Sequence, residues 1–186
     1  MVFLRIKKIK DKNYAYLVEN SWIGNSSRQK VKRYIGRVYK FDLKNNVEFE
    51  SFFNINSIEE YIKNNENKKI IKDLIKWEFF KNDIDDKKFN IDFEKIEIKN
   101  NEKNACIKIN EGYLCSHTLA NILNLKRLHE DETKSEIDDE TDDETGFRLA
   151  KSFVDAGIKI PQEVFIGIFE KIKKADKKPS FEGFYY

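Results

Sequence analysis

The chain has 186 residues, 40% of them hydrophobic and 13% aromatic, which excludes wholesale disorder and leaves room for one or two small domains. Its net charge of +2 conceals two opposed blocks, about +9 over residues 1–40 and about −9 over residues 129–145. Two cysteines exclude a disulfide-built secreted scaffold, and no apolar run approaches the roughly 20 residues that span a bilayer; a cytoplasmic protein without membrane contact is expected.

Asn, Ile and Lys supply 70 of the 186 residues, so part of the lysine content is compositional drift. The six arginines are a cleaner signal, and four of them, Arg5, Arg28, Arg33 and Arg37, lie in residues 1–40. That segment opens with VFLRIKKIK, whose alternation predicts a strand over 2–10. Asp11-Lys12-Asn13 is turn chemistry, and Tyr14 to Glu19 predicts a second strand. A loop over Trp22–Ser27 leads to a third strand, Arg28–Ile35, which Gly36 ends. The expected unit is a three-stranded antiparallel meander over 1–40.

In a strand alternate residues share a face. On that logic Arg5, Lys7, Tyr14, Tyr16, Arg28, Lys30, Lys32 and Tyr34 share one face, with Phe3. Val2, Leu4, Ile6, Ala15, Leu17, Val31 and Ile35 share the other, which reads as the core side. Cations that meet phosphates beside rings on which bases stack predict a nucleic-acid surface, to which Arg37 is added.

Residues 14–36, YAYLVEN…W…SRQKVKRYIG, resemble the small basic N-terminal β-module of insertion-sequence transposases, which is also found on some archaeal Fic-type proteins. The matching positions are Tyr14, Tyr16, Arg28, Lys30, Lys32, Tyr34 and Gly36. The resemblance covers residues 1–40 alone and implies the fold of that piece more than its task. The catalytic motifs of both families are absent from the sequence. No separated acidic triad for two metal ions follows residue 40, and neither His117 nor His129 begins the H-P-F-x-x-G-N-G-R motif.

Further along, an α+β region over 41–128 is expected. Ser57-Ile-Glu-Glu60 is a capping box that starts a helix over 57–81, which Asn64–Asn67 could divide. Residues 89–98 and 105–109 predict a β-hairpin over 89–109, and a helix follows over 114–127. Residues 129–145 predict a flexible acidic linker that buries nothing; a fold back onto the basic sheet is the sharper alternative. A helical hairpin is expected over 146–175, with Thr145 capping its first helix, Gly157 ending it and Pro161 opening the second; residues 176–186 form a tail.

Cys106, Cys115 and His117 offer three soft or borderline ligands where a structural zinc needs four, so two buried reduced thiols and a surface His are expected, and no metal. The acidic run lacks the register of a calcium loop. The second C-terminal helix starts with Gln162 and Glu163 rather than a set of base-reading side chains, so packing or partner docking is expected of it. With no nucleophile–base set, phosphate loop or dinucleotide motif, the expected protein is non-enzymatic, binds no cofactor, and contacts DNA or RNA as a regulator or accessory subunit. The alternative is a protein-interaction adaptor that docks through 146–186, including Phe181, Phe184, Tyr185 and Tyr186.

Overall fold

β-branched and aromatic residues build the first three strands: β1 (Val2–Ile9), β2 (Lys12–Ile23) and β3 (Ser26–Lys40), in an antiparallel meander. A computed structural model of the chain describes residues 2–23, 26–123 and 142–176. Both hairpin strands are longer than the sequence predicts. Trp22 lies inside β2 rather than in a loop, while Gly24 and Asn25 fall outside the described residues. Gly36 does not end β3. A Cβ at Gly36 would sit 2.6 Å from the Asn104 carbonyl oxygen, so this glycine lets another strand approach the backbone closely. That strand is β6 (Lys103–Ile109), which pairs in parallel with β3 from Arg37↔Ala105 to Lys40↔Lys108.

The helix expected over 57–81 is two helices, α2 (Ile58–Asn64) and α3 (Asn67–Lys81), preceded by the short α1 (Phe49–Phe53). Ser57 caps α2 by accepting the Glu60 N–H at 3.3 Å, as the capping box predicts. Asn65 breaks the run by adopting extended backbone, and its Nδ2 donates to the Tyr61 carbonyl at 2.7 Å.

The hairpin expected over 89–109 is three strands, β4 (Phe89–Asp92), β5 (Glu97–Asn100) and β6. The Asp92 carboxylate accepts the Glu94 and Lys95 N–H groups at 3.0 and 2.9 Å, which folds FEKI into a turn where alternation predicts a strand. Asn101 and Glu102 both take positive φ and make the tight β5–β6 turn. The start of the expected 114–127 helix belongs to β7 (Gly112–Leu114), and α4 occupies Ser116–Leu123.

The C-terminal pair is α5 (Asp142–Ala156) and α6 (Gln162–Asp176). Asp142–Thr145, expected in the acidic linker, form the first turn of α5, so Thr145 lies within the helix rather than capping it, and the acidic Asp143 and Glu144 suit the positive end of the helix dipole. The rest of the acidic run, and the tail beyond Asp176, lie outside the described residues.

The fold is therefore α+β. One seven-stranded sheet runs in the order β1-β2-β3-β6-β5-β4, with β7 also on β6. The main core gathers Phe49, Ile70, Leu74, Ile107, Leu119, Phe153, Val164 and Ile168. A second, smaller cluster joins Ala15, Ile35, Cys106 and Cys115, with Leu4, Ile6, Leu17, Val38 and Tyr113 packed on it.

Between α3 and the C-terminal helices lies a buried polar hub. Glu78 is 0% exposed and pairs with Lys81 at 3.0 Å, while the Lys81 ammonium sits 3.7 Å from the centre of the Trp77 ring. Glu78 also accepts from Asn82 and Asn110 side chains, each at 3.2 Å, and from the Lys159 N–H at 3.1 Å. Asn110 in turn donates to the Gly157 carbonyl at 2.7 Å. One carboxylate thus joins α3, the β6–β7 turn and the α5–α6 connection.

Candidate nucleic-acid interface

Cross-strand pairing, not sequence spacing, decides which side chains meet on the meander. Two three-residue rows cross it. Arg5 pairs with Tyr16, and Tyr16 with Tyr34; Lys7 pairs with Tyr14, and Tyr14 with Arg37. The Tyr34 ring centre lies 5.5 Å from that of Tyr16 and 6.3 Å from that of Tyr14. Burial, followed by the neighbouring Tyr14 and Tyr16, raises the Tyr34 hydroxyl above the usual tyrosine range. Tyr34 keeps 44% of its surface exposed, while Tyr14 and Tyr16 are half-buried.

The cations differ in how they are held. Arg5 and Lys7 are exposed, and Arg5 hydrogen-bonds Gln29 across the sheet. Arg37 is half-buried, with its guanidinium 4.8 Å from the Tyr39 ring centre and its Nε shielded and without a hydrogen-bond partner. A cleft of about 150 Å³ beside Tyr34 brings Arg33, Lys95 and Asn104 to the same margin.

Arg28, Lys30 and Lys32 do not share this face, contrary to the simple alternation. β3 carries two bulges, opposite the Ala15/Tyr16 and Leu17/Val18 steps of β2. Each inserts an extra residue and shifts the parity of the residues beyond it. Lys30 consequently pairs with Glu19 and Arg28 with Ser21, both on the side of β2 that carries Ala15 and Leu17. Val31, expected on the core side, pairs with Val18 on the tyrosine side and is exposed. Lys32 is the extra residue of the second bulge and pairs with Glu19 at 2.7 Å. Its hydrogen bond holds the Glu19 carboxyl below the usual range. Of the nine residues singled out from sequence, Arg5, Lys7, Tyr14, Tyr16, Tyr34 and Arg37 come together; Arg28, Lys30 and Lys32 form a separate basic strip.

Cys106 and Cys115 are buried, free thiols in contact across the smaller core. Donation to Cys115, with burial, pushes the Cys106 thiol up; the same bond, opposed by burial and aided by Thr118, pulls Cys115 down. Among the described residues no group of His, Cys, Asp and Glu is arranged to hold a metal ion. His117, expected at the surface, is half-buried and lines an open cleft of about 400 Å³ between β1, β7, α4 and α5, with Tyr113, Asn121, Lys151 and Asp155.

Burial, with the positive charge of Arg33, depresses the His117 pKa below its ordinary value. The folded state therefore favours the neutral ring, and the unfolded chain binds the extra proton first. Stability is expected to be at its full value above about pH 6.5 and to fall as the pH drops through the interval below it. Urea unfolding at pH 7.5 and 5.5 measures that loss, and His117→Gln should flatten it.

Comparison with protein-family models, with curated proteins and with solved structures gives no match for this chain. No described helix is long and apolar enough to cross a membrane.

Proposed function

We propose that this chain is a non-enzymatic nucleic-acid-binding protein that uses the tyrosine face of its N-terminal meander. The observation that carries the reading is the pair of rows Arg5–Tyr16–Tyr34 and Lys7–Tyr14–Arg37, which alternate cations with rings on one sheet face. Cations at such spacing neutralise phosphates, and an exposed ring such as Tyr34 stacks on a base whatever its identity. A cytoplasmic regulator or accessory subunit fits this chemistry, with DNA and RNA as the two substrates to compare.

Fluorescence anisotropy of labelled DNA and RNA at low and physiological salt tests the proposal. Tyr16→Ala/Tyr34→Ala is expected to weaken binding at least tenfold, because a lost stack is worth roughly 1–3 kcal/mol per base. Unchanged affinity in that variant, or no binding at low salt, would remove the reading. A protein-docking role is favoured by a different observation: Phe147 and Val154, seven residues apart on α5, are 69% and 65% exposed. An adaptor would use that stripe and not the sheet.

A further inference from the structure

The meander is not uniform in width. β1 pairing begins at Val2↔Glu19, so beyond Glu19 the β2–β3 hairpin continues as a two-stranded ribbon. Near its end stands Trp22, 76% exposed, paired with Ser27. Side chains two apart on a strand share a face, and β2 carries no extra residue between Tyr14 and Trp22. Trp22 therefore stands on the same side of the ribbon as Tyr14 and Tyr16.

A tryptophan this exposed has not been recruited into packing. Its position extends the tyrosine rows, past the buried Val18 and the half-buried Asn20, into a track along β2 of roughly 27 Å, at about 3.4 Å per residue. Rings along one line match bases that offer a π-face. A duplex hides those π-faces inside its stack; an unpaired strand presents them.

We infer that the track binds an unpaired strand of on the order of four to eight nucleotides, laid along β2, with Trp22 stacking on a base at its far end. The inference rests on the nucleic-acid reading above and adds the strandedness of the ligand, its length and the end contact. Fully paired DNA or RNA is a poor ligand for this face.

Trp22 reports its own contact. The other tryptophan, Trp77, is buried and donates its indole N–H to the Val47 carbonyl at 2.8 Å, so quenching by a stacked base falls on Trp22. The full chain is titrated with eight-nucleotide oligo-uridine, eight-nucleotide oligo-thymidine and a blunt duplex, following anisotropy and tryptophan fluorescence together. Trp22→Phe and Trp22→Ala are compared, with circular dichroism confirming the fold. Expected are quenching that saturates with the anisotropy curve for at least one single strand, affinity lowered about tenfold in Trp22→Ala and less in Trp22→Phe, and a duplex at least tenfold weaker. Single-strand binding without quenching and indifferent to Trp22→Ala would overturn the inference and leave the basic aromatic face standing. A duplex bound as tightly as the strand would also overturn it. No binding of any probe at low salt would overturn both.

Discussion

Glu78→Leu should cost about 3–5 kcal/mol of folding stability, a large share of the roughly 5–15 kcal/mol that holds a domain of this kind together. Glu78 is fully buried, and Lys81 nearly so. Without the carboxylate, the Lys81 ammonium retains, among the described residues, the face of Trp77. The Asn110 side chain and the Lys159 N–H lose their bonds to it as well. An uncompensated buried charge plus unpaired donors is the costly outcome, whereas the intact pair adds less than its geometry implies. Glu78→Leu/Lys81→Met removes both charges and is expected to recover part of the loss. Urea unfolding of the two single variants and the double variant closes the cycle. Additive losses would mean that the two residues do not act as a pair.

Two charge reversals of equal size should affect binding unequally. Arg5→Glu/Lys7→Glu and Arg28→Glu/Lys30→Glu each change the net charge by the same amount, and all four residues are exposed. Long-range attraction for a polyanion therefore falls alike in both. Only the first pair touches the tyrosine rows. It is expected to lower affinity about a hundredfold at low salt and to make the remaining binding less salt-sensitive, since fewer counterions are released. The second pair is expected to cost tenfold or less. The reverse ranking would move the interface to the Arg28–Lys30 strip on the other side of β3.

The contrast between the two pairs arises from a feature the sequence conceals. The three-stranded meander and the capping box at Ser57 were legible because each depends on a few neighbouring residues, although the first turn falls at Lys10-Asp11 rather than at Asp11–Asn13. The bulges were not. Whether Lys32 continues the alternation or stands outside it depends on how β3 seats against β2 and β6, which no local pattern encodes. The consequence for the candidate site is large, because one extra residue separates Arg28 and Lys30 from the tyrosines. Gly36 carried a signal of a different kind: inside a run of β-formers it marked a close backbone approach rather than an end. FEKI alternates well enough to pass for a strand, and only the Asp92 side chain folds it. Trp22 read as loop because Gly24 and Asn25 follow it so closely.

The reach of Glu78 also sets a timetable. Its bond to the Lys159 N–H spans 81 residues of sequence. At about 5–20 residues per second, a ribosome needs roughly 4–16 s to supply the second group after the first. Until then α3 cannot bury its carboxylate with a full set of partners. Over roughly the first third of that interval β3 also holds an open edge at Arg37–Lys40, because β6 is still to come. The nascent chain thus has its meander early and its centre late. Two cations on that waiting edge, Arg37 and Lys40, discourage the wrong strand from docking there first.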